Sequence, residues 1–105
     1  MSYSNLGFFE ATEDVAIHFQ YVDTSTGDFV IPTSPPVYRV YDSAGALVGA
    51  GPYAMTQVTP AGHYYWVLDL TAESITALGR YTIQAYVPAA GEAQFAFYSF
   101  DIVNA

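Results

Sequence analysis

The chain has 105 residues, no cysteine, and ten carboxylates against two arginines, which gives a formal net charge of −8. This length predicts one domain, residues 1–105, that can bury a core without disulfides or metals. The lack of cysteine excludes a disulfide scaffold, and the negative charge disfavours binding to nucleic acid or to an anionic membrane surface. The first residues carry no basic, apolar leader, so we expect a soluble protein made in the cytoplasm.

The first half of the chain alternates apolar and polar residues with the period of a β-strand. From Asp14 to Val22 every second residue is apolar, which predicts a half-buried strand, and a second strand is expected from Val37 to Tyr41. Asp42 and Gly45 stand at the first and fourth positions of a type I turn, so residues 46–48 should return as the partner strand of a hairpin.

The second half continues this pattern with one interruption. A short edge strand is expected from Tyr53 to Val58, and a longer one from His63 to Leu70. Residues 71–78 are expected to form about two helical turns, with Thr71 as the N-cap. Ile75 and Leu78 should face the core. The more apolar face of the strand from His63 consists of Tyr64, Trp66, Leu68 and Leu70.

A tyrosine corner is indicated by Leu78, Gly79 and Tyr81 at the start of the next alternating strand. The inward side chains of this strand should be Tyr81, Ile83, Ala85 and Val87. In this arrangement the phenol bonds back to the preceding turn and joins the two sheets of a sandwich. The sequence therefore predicts an all-β, immunoglobulin-like antiparallel β-sandwich of about seven strands with one short helical turn. The last strand, from Ala93 to Val103, is apolar on both faces, and the pattern does not decide which face is buried.

Seven Phe, ten Tyr and one Trp exceed what a small core holds, so some rings should lie at an interface. Residues 1–9 are a candidate docking arm, and a plain edge strand is the alternative for the same segment. The candidate interface residues are Leu6, Phe8, Phe9, Tyr65, Tyr86 and Tyr98.

No catalytic constellation is recognisable in the sequence. His63 and Asp69 are six residues apart on one strand, about 20 Å at strand rise, which is too far for an acid-base pair. His18 is expected to be a solvated side chain. Two acidic groups, one near Glu10 to Asp14 and one at Asp23 with Asp28, lack the dense spacing that calcium loops supply. We therefore expect no enzyme activity, no cofactor and no metal.

Three segments together resemble the small immunoglobulin-like domains of tailed-bacteriophage virion proteins. They are Pro36 to Val48, Gly62 to Tyr64 at the start of a strand, and Leu78 to Val87, and the resemblance covers roughly residues 10–103. It implies a non-enzymatic virion protein that binds the major capsid protein or another virion protein, with self-association as a further expectation. A chain that begins at Met1 and ends after its last strand favours a capsid decoration subunit over a tail module. The alternative is a carbohydrate-binding or adhesive module that uses exposed aromatic rings such as Tyr65, Trp66 or Tyr86.

Overall fold

A computed structural model describes residues 4–23, 25–58, 62–88 and 94–104. These residues form an all-β structure without a helix. They therefore contain no helix that is long and apolar enough to cross a membrane. The described segments contain eight strands, against about seven expected. They are β1 Ser4–Glu10, β2 Asp14–Gln20, β3 Val37–Tyr41, β4 Leu47–Ala54, β5 Thr56–Val58, β6 His63–Asp69, β7 Gly79–Tyr86 and β8 Phe95–Asn104.

The strands form two sheets. The large sheet has the order β1-β8-β7-β3-β4, and the small sheet has the order β2-β6-β5. All neighbouring strands are antiparallel except β1, which pairs with β8 in parallel. The predicted all-β class is confirmed, and two sheets around a shared core are consistent with a β-sandwich.

The core follows from the period-two alternation of the strands, which sends every second side chain to the same face. Side chains of β2 alternate between exposed and buried, and those of β7 alternate between buried and half-buried from Tyr81 onward. The structure also shows which face of β8 is inside: Phe100 and Ile102 are buried, whereas Phe95 is 56% exposed. The other buried residues at predicted inward positions of these strands are Val15, Ile17, Phe19, Tyr21, Tyr64, Leu68, Leu70, Tyr81, Ile83, Ala85 and Val87.

The hairpin between β3 and β4 forms as predicted. Gly45 has a φ of 83° and its N–H donates to the Asp42 carbonyl at 3.0 Å. The Asp42 carboxylate accepts from the N–H groups of Ala44 and Ala46 at 2.9 Å each. An Asp that binds the turn backbone and a glycine at positive φ are the features that the sequence indicates here.

The predicted helix over residues 71–78 is not found. The chain makes hydrogen-bonded turns instead: Ser74 has a φ of 59°, and the Ile75 N–H donates to the Leu70 carbonyl at 2.9 Å. A helix would place Ile75 and Leu78 on one face. Because the chain turns, Ile75 is buried at 2% exposure and Leu78 is 64% exposed, so the prediction that Leu78 faces the core is wrong.

The segment predicted as one edge strand, Tyr53 to Val58, is divided between the two sheets. β4 continues to Ala54 in the large sheet, and β5 begins at Thr56 in the small sheet. The residue between them, Met55, is buried, and its N–H donates to the Pro36 carbonyl at 2.9 Å. The chain therefore crosses between the sheets at Met55.

The N-terminal segment forms an edge strand over its described part, the alternative that the sequence left open. Residues 4–10 are β1, at the edge of the large sheet beside β8. The first three residues of the expected docking arm lie outside the described residues, as does Ala93 at the start of the predicted last strand.

Side chains that begin on or beside β8 reach across to the border of the small sheet. The Tyr98 hydroxyl donates to the carbonyl of His18 on β2, an edge strand. The Gln94 amide donates to the Val22 carbonyl, and its oxygen accepts from the Val22 N–H at 3.4 Å. These bonds join the two sheets at one side of the sandwich.

Candidate interaction surfaces

The outer face of the large sheet is rich in aromatic side chains. We call it the large-sheet face and define it by the outward positions of the three central strands. These are Val37, Arg39 and Tyr41 on β3, Arg80, Thr82, Gln84 and Tyr86 on β7, and Phe95, Phe97, Ser99, Asp101 and Val103 on β8. Phe8 lies beside this face, because it pairs with Asp101, and its side chain is 69% exposed.

Three rings at one end of this face are nearly parallel. The centroids of Tyr86 and Phe95 are 5.8 Å apart with 23° between the ring planes, and those of Phe95 and Phe97 are 6.5 Å apart with 17° between them. The Arg39 guanidinium carbon lies 5.5 Å from the centre of the Tyr86 ring. This cation–π contact covers one face of Tyr86 and holds Arg39 on the sheet.

An ion pair occupies the other end of the face. Arg80 Nε and Nη2 donate to Asp101 Oδ1 and Oδ2 at 3.0 and 3.1 Å, in a bidentate arrangement. These hydrogen bonds lower the pKa of Asp101 and raise the pKa of Arg80. The Arg80 side chain is 62% exposed, so the pair orients both groups and contributes little to stability. Arg80 therefore pairs with a carboxylate, whereas Arg39 contacts the Tyr86 ring.

A shallow cavity of about 460 Å³ lies on the face beside this ion pair. Its lining combines the ring of Phe97 with the polar side chains of Gln84, Thr82 and Arg80. Hydrogen-bonding groups next to an aromatic ring suit a small polar ligand that also has an apolar side.

The small sheet also exposes aromatic groups on its outer face, which we call the small-sheet face. The His18 and Tyr65 rings are 5.1 Å apart, and the His63 and Phe29 rings are 4.5 Å apart. Phe29 is 45% exposed, and His18 is exposed, as predicted. The sandwich therefore presents aromatic side chains on two opposite faces.

Half of the six candidate interface residues lie on or beside these two faces. Phe8 and Tyr86 belong to the large-sheet side, and Tyr65 belongs to the small-sheet face. The other three pack against the core: Leu6, Phe9, whose ring meets Phe100 edge-on at 6.0 Å, and Tyr98.

The sequence did not single out Phe95, Phe97 or Arg39. The sequence did show that the last strand is apolar on both faces, so one of these faces had to point away from the core. Once Phe100 is placed in the core, its neighbours at odd-numbered positions must face outward.

The tyrosine-corner residues lie where the chain enters β7. The Tyr81 hydroxyl donates to the Ala77 carbonyl at 2.8 Å, which is the bond to the preceding turn that the sequence predicts. The Tyr81 ring stacks on Phe100 with centroids 5.3 Å apart, and burial, with Asp42 nearby, raises the pKa of Tyr81. Gly79 opens the strand with a φ of 133°, a value that favours glycine.

Among the described residues, no group of three or more His, Asp or Glu side chains is placed to hold a metal ion. His63 and Asp69 lie at opposite ends of β6. Trp66 is half-buried and packs against the core.

Comparisons with protein-family models, with curated proteins and with solved structures gave no match.

Proposed function

We propose that this protein is a non-enzymatic virion structural protein, a capsid decoration subunit with an immunoglobulin-like domain. The observation that carries the proposal is the presence of exposed aromatic rings on both outer faces of the sandwich, with Phe95 on one and Phe29 on the other. A subunit that cements a shell must contact more than one neighbour, and exposed apolar surface on a soluble domain is typical of association.

The immunoglobulin-like type is supported by the bond from Tyr81 to Ala77, which fits a tyrosine corner, and by the two packed sheets. The proposed partner is the major capsid protein or another virion protein, and the proposed location is the virion. The acidic balance of the chain argues against nucleic acid and anionic membranes as partners.

Co-sedimentation tests this function. The purified protein is mixed with shells assembled from the capsid protein of the same genome, at several salt concentrations, and we expect it to sediment with the shells to a saturating ratio. Tyr65→Ala and Phe95→Ser each remove a ring from one face, and at least one should weaken binding tenfold or more. Leu78→Ser is the control, because Leu78 is 64% exposed and lies outside both faces. Absence of sedimentation at every salt concentration would refute the proposal.

A carbohydrate-binding module is the second candidate, favoured by the nearly parallel rings of Tyr86, Phe95 and Phe97 beside the Gln84 amide. Two observations weigh against it. The Arg39 guanidinium covers one face of Tyr86, and Trp66, the strongest stacking group for a sugar ring, packs partly against the core. A glycan array with no signal would remove this candidate without affecting the first.

A further inference from the structure

The large-sheet face holds or borders much of the exposed apolar surface of the described residues. Phe95 and Val103 are each 56% exposed on it, Phe8 is 69% exposed beside it, and Leu47, which pairs with Tyr41 at its border, is 49% exposed. Apolar side chains concentrated on one sheet face usually mark an interaction site.

The charges on this face differ from those on the rest of the molecule. Its charged side chains are Arg39, Arg80 and Asp101, so it holds both arginines of a chain with a net charge of −8. The other described carboxylates lie in the turns, at the end of β1 and on the small sheet. Two copies that meet through this face bring no unpaired carboxylate together, because its one carboxylate, Asp101, forms an ion pair with Arg80 in each copy.

The register of the strands makes the face complementary to itself. Val37, Tyr86 and Phe95 form one level across β3, β7 and β8, and Arg39, Gln84 and Phe97 form the next. A two-fold axis parallel to β7 would lay β3 of one copy over β8 of the other. Val37 would then face Phe95 and Arg39 would face Phe97, which pairs apolar groups with each other and a cation with a ring.

The large-sheet face, together with the flanking strands β1 and β4, is large enough for a weak dimer. Five strands spaced about 4.8 Å apart and about seven residues long cover roughly 500 Å², so two copies would bury on the order of 1,000 Å² together. This area is at the lower limit for a specific interface. We infer that the large-sheet face binds a second copy of this chain to form a two-fold symmetric dimer, an assignment that goes beyond the proposed function.

Sedimentation equilibrium of the purified protein tests the inference. We expect a dimer that dissociates on dilution, with a dissociation constant in the micromolar range. Phe95→Ser should weaken association at least tenfold. Ile31→Ser is the matched control, because Ile31 is 57% exposed, as against 56% for Phe95, but lies in the connection before β3. The control should associate like the wild type.

A dilution series followed by amide NMR locates the interface without any substitution. We expect shifts at the outward positions of β3, β7 and β8 and unchanged signals on β2 and β6. A monomer at millimolar concentration would overturn the inference. So would a dimer that Phe95→Ser leaves intact, or shifts confined to the small sheet. These results are independent of shell binding, so the dimer and the proposed function can fail separately.

Discussion

The hydroxyl of Tyr81 provides the sharpest test of how the sandwich is held together. Tyr81→Phe removes the bond to the Ala77 carbonyl and keeps the ring, which still stacks on Phe100 at 5.3 Å. Ala77 is exposed, so its carbonyl can bind water in the variant and no buried acceptor is left without a partner. The expected loss of unfolding free energy is therefore the net value of one hydrogen bond, about 1 kcal/mol.

Urea unfolding at neutral pH, with the midpoint and slope fitted together, measures this loss. Thermal unfolding should show Tm lowered by about 4–8 °C for each kcal/mol. Tyr41→Phe is the control, because the Tyr41 hydroxyl contacts Gln84 only at 3.5 Å on the half-buried outer face. We expect this control to lose less than about 0.5 kcal/mol. Equal losses in the two variants would refute the assigned role of the Tyr81 hydroxyl.

Three further predictions concern backbone geometry and charge. Gly62→Ala should lower the free energy of unfolding by more than about 2 kcal/mol, because Gly62 has a φ of +82° and an added Cβ would lie 2.7 Å from the Tyr21 carbonyl oxygen. An unchanged urea midpoint would contradict this. Arg80→Gln should return the pKa of Asp101 toward its ordinary value, seen by carboxyl NMR titration, and an unmoved pKa would show that the ion pair is not its cause. Burial raises the pKa of several tyrosines above the ordinary value of about 10, so these hydroxyls ionise more readily in the unfolded chain than in the folded one. The free energy of unfolding should therefore be constant below about pH 10 and fall as the pH rises further. A urea midpoint that does not change between about pH 8 and 11 would contradict this. These tyrosines are Tyr38, Tyr64, Tyr81 and Tyr98.

Local patterns predicted the elements whose structure depends on local chemistry. β2 follows from alternating polar and apolar residues, which give the strand one solvent-exposed and one buried face. The β3–β4 hairpin follows from the hydrogen bonds that the Asp42 carboxylate accepts from the backbone and from the positive φ of Gly45. Inward positions of β6 and β7 were predicted for the same reason.

Features that depend on contacts distant in sequence were not predictable in this way. Capping residues favoured a helix over residues 71–78. In the structure the chain turns there instead, and this turn buries Ile75 in the core. The crossing at Met55 and the parallel pairing of β1 depend on which strands lie nearby. Alternation could not orient β8, because its outer face carries Phe95 and Phe97 and is nearly as apolar as its inner face.

The bonds that Tyr98 and Gln94 make to His18 and Val22 have a consequence for ordered aggregation. An unprotected sheet border can recruit strands from other molecules and grow into fibrils, a hazard for a chain rich in aromatic residues. At the β2 border, the His18 carbonyl and both backbone groups of Val22 already have intramolecular partners. A foreign strand would have to displace these side chains, so cross-β growth from this border is obstructed in the native state.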